Sequence, residues 1–348
     1  MRLLLRPIGQ NKTPSCLERL SLHVEFVALG CSCPAGAQYT NVRQCSGSRQ
    51  QEEAIVFFGD LGNNPNGCRG LLMFGLLNIH KPSGMTSRDV VNRVQRLVRG
   101  VKVGHAGTLD PLATGVLVVA LGPATRLVEY VQQMPKSYVG TFLLGRTSDT
   151  EDVEGNVVEL DDPPQPTRQD VEAALPAFLG MIQQLPPAFS ALKVQGRRAY
   201  DLARRGEQVE LQPRPIEIMR LTVVRYEYPE LELEVCCGSG TYIRSLGRDV
   251  AHWLGTAAVM SALQRTAIGD FRLTDAMEFD QLTPETIESR LLSPRRAVVQ
   301  LPTAVLTDEE MRRVGHGMTV RNEWHCRLSH KDLRQDMGRR GRSVGERL

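Results

Sequence analysis

Gly104-His105-Ala106-Gly107-Thr108-Leu109-Asp110-Pro111-Leu112-Ala113-Thr114-Gly115 puts three glycines and a proline into twelve residues. That density forbids a regular helix or strand and predicts a tight loop. An apolar run comes at once after it, Val116-Leu117-Val118-Val119-Ala120-Leu121, rich in β-branched residues. It reads as a buried strand that holds the loop against the core. One histidine, His105, and one carboxylate, Asp110, sit in the loop. An Asp-Pro pair alone marks a turn. Here the neighbouring glycines carry no side chains, so a ligand can come close to Asp110.

Outward from the loop, Leu76-Leu77-Asn78-Ile79 reads as a short strand and Lys81-Pro82-Ser83-Gly84 as a connection. Thr86 or Ser87 then caps a helix over 87–99, with Val90, Val91, Val94, Leu97 and Val98 on one face. Downstream, a helix is expected from 124 to about 133 and a strand over 137–144. Asp149-Thr150-Glu151-Asp152-Val153-Glu154-Gly155 is an acidic turn without the spacing of a calcium loop. A capped helix is expected over 167–178. Glu230-Leu231-Glu232-Leu233-Glu234-Val235 alternates strictly, so one face of that strand is buried and one is wet. Gly238-Ser239-Gly240 turns into a helix with Ile243, Leu246, Val250, Trp253 and Leu254 inward. A dinucleotide site is rejected there, because Ile243 stands where a third glycine is needed.

Several of these stretches carry one resemblance, in the same order along the chain. They are Lys81 to Ser87, Gly104 to Gly115, Lys136-Ser137-Tyr138, Pro186-Pro187-Ala188-Phe189-Ser190-Ala191-Leu192-Lys193, Gly240-Thr241-Tyr242-Ile243-Arg244 and Leu263-Gln264-Arg265-Thr266. Together they resemble the bacterial tRNA pseudouridine-55 synthases, the TruB family, over roughly residues 74 to 300. The resemblance implies an α+β fold on a mixed, mainly antiparallel sheet with flanking helices. It implies a catalytic domain over 73–300 with a thumb-like insert at 181–215 that closes on the T-stem loop of tRNA. A PUA-like RNA-binding segment over 301–348 would be cut short by a basic tail with Arg339, Arg340 and Arg342.

The same resemblance distributes roles. Asp110 matches the catalytic aspartate, and Arg244 the arginine that pairs with it; a guanidinium fork suits a carboxylate. Tyr138 matches a tyrosine that stacks on the target base and can take part in proton transfer at C5. Tyr242 and Leu263 match positions lining the pocket, and His105 a residue near the flipped nucleotide. Lys81 is expected to hold a phosphate or brace the loop. In the insert, Lys193, Arg197, Arg198, Arg204, Arg205 and Arg214 interleave with Phe189 and Tyr200, a mixture that suits single-stranded or looped RNA. The isomerisation breaks the C1′–N1 bond of a uridine and rejoins the ring through C5. It needs no redox partner, so no cofactor and no metal are expected. The target base must leave its stack first.

Composition sets limits around this reading. The 348 residues suggest about two domains. A net charge of +3 does not announce nucleic acid, so local patches must carry that argument. No apolar run of about 18 residues exists, and no membrane partner is expected. Five of the eight cysteines precede residue 73 without zinc spacing, and adjacent Cys236 and Cys237 point to opposite faces of a strand. The core reads as cytoplasmic and reduced, and as a monomer. Residues 1–72 show little periodicity, and up to Arg49 carry Arg2, Arg6, Lys12, Arg19 and Arg43 against Glu18 and Glu25. They read as an unstructured or mis-assigned extension, with organelle targeting the alternative. Two rivals remain from the residues. An RNA-binding or RNA-folding module would not need Asp110. A hydrolase with a carboxylate nucleophile would want a second carboxylate or a metal cluster.

Overall fold

The computed structural model describes residues 2–6, 25–28, 53–56, 73–187, 189, 193–194, 197–198, 211–301, 303–305 and 308–315. The chain divides into two units, Met73–Leu292 and a second that joins Met1–Leu72 to Ser293–Leu348. The division therefore falls after Leu292 and not near residue 300. In the second unit β1 (Arg2–Arg6), β2 (Glu25–Ala28), β3 (Glu53–Val56) and β18 (Thr303–Val305) form one sheet, in the order β18-β1-β3-β2. β1 runs antiparallel to β18, with Leu3 opposite Ala304. The stretch expected to be unstructured thus holds three strands, each too short to show a period in the sequence. The expected PUA-like segment lies mostly outside the described residues, and so does its basic tail.

The main unit is built on ten strands. They are β4 (Gly75–Lys81), β5 (Val103–Ala106), β6 (Thr114–Leu121), β7 (Lys136–Leu144), β10 (Gly180–Gln184), β13 (Arg214–Glu227), β14 (Glu230–Cys237), β15 (Ala258–Ile268), β16 (Phe271–Arg272) and β17 (Met277–Glu278). The order is β10-β13-β14-β7-β15-β6-β4-β17, with β5 on β6 and β16 on β15. Only β15–β6 and β17–β4 are parallel, so the sheet is mixed and mainly antiparallel, as expected. Two small ribbons stand apart: β8 (Arg146–Thr147) with β9 (Val158–Glu159), and β11 (Lys193–Val194) with β12 (Arg197–Arg198). The alternation read in β14 is present, every second residue being buried.

Two apolar clusters fill this unit. One packs Val90, Val91 and Val94 of the helix Ser87–Leu97 against Leu77 and Ile79 of β4 and Leu117 and Val119 of β6. Burial of each such side chain contributes roughly 1.5–3 kcal/mol. Thr86 caps this helix and shares a capping box with Asp89. The other cluster joins Phe142, Leu233, Val235 and Met260 to Ile243, Leu246 and Val250 of the helix Ile243–Trp253. Trp253 differs from its expected inward position. It closes the helix at 64% exposure, with its ring edge-on to Phe178 at 6.1 Å. Among the described residues no helix is long and apolar enough to cross a membrane.

Both clusters draw only on residues between Met73 and Leu292. A chain trimmed to begin at Met73 is therefore expected to keep the melting midpoint of the main unit within about 3 °C, the shift of roughly 1 kcal/mol at this size. Scanning calorimetry checks it, and a fall several times larger would show that residues 1–72 support the core.

Candidate active site

The glycine loop is shorter than its sequence suggests. Val103 to Ala106, Gly104 and His105 included, form β5, which pairs antiparallel with the far end of β6. The loop proper spans 107–113, and β6 begins at Thr114. A single glycine is tolerated in β5 because it lies at the rim of the sheet. Where β5 leaves off, β15 takes its place beside β6, with Gln264 opposite Thr114 and Arg265 opposite Gly115. Gly115 has φ +104°, and a Cβ there would stand 2.2 Å from the Arg265 carbonyl oxygen. Only glycine allows that approach.

Residues of the Lys81 to Ser87 stretch clamp the loop from the other side. Ser87, buried, accepts from the Leu109 N–H at 2.8 Å and donates to the Leu109 carbonyl at 3.2 Å. Ser83 donates to the Leu112 carbonyl, and the Gly84 N–H to that of Pro111 at 2.9 Å. Lys81 has no exposed surface; its ammonium donates to the carbonyls of Pro82, Met85 and Pro111. All three of its N–H groups are taken. Of the two roles expected for Lys81, its bonds are those of the brace and leave no N–H for a phosphate. Burial pulls its pKa down to about 8, against the opposing charge of Asp110.

Asp110 stands at the crest of this braced loop with 40% of its side chain exposed. Its Oδ2 lies 3.1 Å from Nη2 of Arg244, which is only 7% exposed. The buried member of the pair is therefore the arginine. Arg244 arrives on the first turn of the helix Ile243–Trp253. Its Nη1 donates to the Thr150 carbonyl at 2.7 Å and lies 3.4 Å from Oδ2 of buried Asp152. Its Nη2 also donates to the Phe189 carbonyl at 3.1 Å. The other oxygen of Asp152 accepts from the Thr150 hydroxyl and the Glu154 N–H. The acidic stretch, in sequence a plain turn, is thus the far support of the pair. Its neighbour Glu151 holds Arg248 and Ser245 of the same helix.

Tyr138 stands in β7 directly opposite Arg265 of β15 and is 7% exposed. Burial pushes its phenol pKa up, and the nearby guanidinium of Arg265 opposes the shift. Tyr138 and Leu263 belong to the same apolar cluster as Leu109 and Ala113 of the loop, and the charge of Asp110 reaches the Tyr138 phenol. His105 is half-buried. Burial, then the charges of Arg88 and Arg265, lower its pKa, which keeps the ring neutral near pH 7. Its Nδ1 has no hydrogen-bond partner among the described residues. Tyr242 precedes the helix that carries Arg244. Arg197 and Arg198 lie in β12, but their side chains fall outside the described residues.

Two buried cations belong to the motifs, yet the sequence assigns them no role. Arg265, 1% exposed, donates to the Val116 carbonyl at 2.8 Å and the Gly107 carbonyl at 3.0 Å. It therefore ties both ends of the loop to β15. Lys136 donates to the carbonyls of Gln132 and Met134, and burial lowers its pKa to about 8. The arrangement offers Asp110 on a rigid loop, backed by a buried guanidinium; near it stand the Tyr138 phenol and exposed Glu154, whose pKa burial and then the charges of Asp152 and Asp110 raise.

Comparison with known proteins bears on this geometry. Residues 95–243 match the family model for the N-terminal domain of the TruB family pseudouridylate synthases. The tRNA pseudouridine synthase B of Acaryochloris marina is 44% identical over 237 residues, 67% of this chain and 81% of its own. That of Gluconacetobacter diazotrophicus is 45% identical over 258 residues, 72% of this chain and 84% of its own. Among solved structures, a crystal structure of a Cbf5-Nop10-Gar1 complex aligns with TM-score 0.56 at 28% identity. It covers 70% of this chain and 67% of the matched one.

Proposed function

The chain belongs to the TruB family of pseudouridylate synthases, and we propose that it isomerises the uridine at position 55, in the T loop of tRNA, with Asp110 as the nucleophile. Its relatives are tRNA pseudouridine synthases, and this chain is an enzyme of the same kind, converting uridine to pseudouridine in tRNA. The observation that carries the finer reading is the Asp110–Arg244 pair at 3.1 Å. A guanidinium fork holds a carboxylate in a fixed orientation. Three routes are open to that carboxylate: attack at C1′, addition to the uracil ring, or abstraction of the 2′ proton. Each needs a carboxylate within reach of a flipped nucleotide, and Asp110 supplies it. Tyr138 supplies the flat face for the base, and Leu263 and Tyr242 the walls. Phosphate contact falls to the insert.

The test is tritium release from a T-stem-loop RNA carrying 5-tritiated uridine, since the new C5–C1′ bond displaces the C5 hydrogen. Wild-type protein that binds the RNA but releases no tritium would favour the non-catalytic binding module. A second measurement addresses the insert. Replacing Arg197, Arg198, Arg204 and Arg205 together by glutamine is expected to weaken RNA binding. The slope of log affinity against log salt should flatten by roughly 0.7–0.9 per lost phosphate contact. Unchanged affinity and slope in filter binding would make these arginines a solvated face only.

A further inference from the structure

We propose that Gln184 and Arg214 are positioning residues for the isomerisation, which together fix Tyr242 and, through it, the turn that presents Arg244. The proposal rests on the synthase reading. Gln184 ends β10 and Arg214 begins β13, and the two are opposite one another in the register of that pair. The basic insert therefore leaves the sheet and returns to it at a single rung. Both residues at that rung turn to the same place.

Gln184 has no exposed surface. Its Nε2 donates to the Tyr242 carbonyl at 3.0 Å, and its Oε1 accepts from the Tyr242 N–H at 2.9 Å. One side-chain amide thus satisfies both polar groups of one backbone residue, as a neighbouring strand would. Arg214 lies over the Tyr242 ring, its guanidinium carbon 4.7 Å from the ring centre, and donates to the Gly240 carbonyl. Its Nε–H is buried with no partner among the described residues. The stack and the Gly240 bond therefore decide where the guanidinium lies.

The grip on Tyr242 matters because the helix that carries Arg244 starts there. Tyr242 is the residue before the helix Ile243–Trp253, and no side chain caps that helix start. The Tyr242 carbonyl also accepts from the Leu246 N–H at 3.0 Å, the first bond of the helix. From a distant strand, Gln184 thus fixes the backbone of the residue that starts the helix, and Arg244 stands two residues beyond Tyr242. If the grip loosens, the tyrosine ring and the arginine move together. Misplacement of a reacting group by about 1 Å can cost about a hundredfold in rate.

The rival account makes Gln184 a core amide and Arg214 a phosphate contact. Single-turnover tritium release and filter binding on the T-stem-loop RNA separate the two. Gln184→Met keeps the volume and loses both bonds. Arg214→Lys keeps the charge and loses the planar stack. Each is expected to lower the single-turnover rate by about tenfold or more while the dissociation constant stays within about threefold. Because both act on one residue, the double variant should be little slower than the slower single one; independent effects would multiply to about a hundredfold. A full rate in Arg214→Lys, or a loss confined to binding, overturns the proposal, as does multiplication in the double variant. Arg214 is half-buried, so its lysine variant remains a test even if Gln184→Met does not fold. Wild-type protein that releases no tritium overturns the parent reading and this one with it; a wild-type rate in both variants overturns this one alone.

Discussion

Asp110→Asn is expected to release no detectable tritium from 5-tritiated T-stem-loop RNA, while RNA affinity stays within about tenfold, or roughly 1.4 kcal/mol. The amide has the shape of the carboxylate and keeps much of its hydrogen bonding, but it is no nucleophile and no base. The fold should hardly notice. The Asp110 side chain is 40% exposed, and the loop beneath it is fixed by Ser83, Gly84, Ser87 and Lys81. Solvent screens the ion pair, so its loss should cost about 1 kcal/mol or less. Arg244 keeps the Thr150 and Phe189 carbonyls and the Asp152 carboxylate. The measurement is tritium release beside a filter-binding titration and a thermal melt. A variant that turns over at the wild-type rate refutes the nucleophile assignment.

The sequence carries the near side of this site and hides the far side. Motifs with rare residues are readable: the glycine loop, Lys81 to Ser87, and the strictly alternating strand β14. Each is a local pattern that one stretch of chain imposes on itself. The parallel pairing of β6 with β15 is not local. Thr114 and Gln264 are partners across most of the domain, and nothing in either stretch names the other. Arg265 stands in a legible motif, yet its bonds to Gly107 and Val116 exist only once that pairing has formed. For Lys81 the sequence leaves phosphate and brace both open, because only the carbonyls of Pro82, Met85 and Pro111, placed around it by the fold, decide between them. Trp253 shares the helical face of Leu246 and Val250 in sequence. It is the last helical residue, and there Phe178 offers it only an edge contact. Asp152 is the largest omission, for the same reason: a run of acids reads as a solvated turn until an arginine from elsewhere arrives beside it.

Asp152→Asn should therefore damage what Asp110→Asn leaves intact. Asp152 is 3% exposed, and its turn is bonded into β15: the Val153 N–H donates to the Met260 carbonyl, and the Met260 N–H to that of Glu151. An asparagine there can keep the Thr150 hydroxyl and the Glu154 N–H on its oxygen. Its amide nitrogen would then face Nη1 of Arg244, donor against donor, where Oδ2 now lies at 3.4 Å. A buried guanidinium would lose its buried counter-ion and be left with an exposed one. Breaking a buried pair of this kind costs about 3 kcal/mol or more, a fall of roughly 6–12 °C in melting midpoint for a unit of this size. Relief would come by Arg244 shifting toward solvent, which drags the Asp110 contact with it. The single-turnover rate is expected to drop by about a hundredfold, as for a misplacement of about 1 Å. Thermal melts and tritium release on the same preparation check both arms. If the midpoint falls and the rate does not, Asp152 supports only the fold. If neither moves, the acidic turn is the solvated turn that its sequence suggests, and Arg244 is held by the Thr150 and Phe189 carbonyls and Asp110 without help from Asp152.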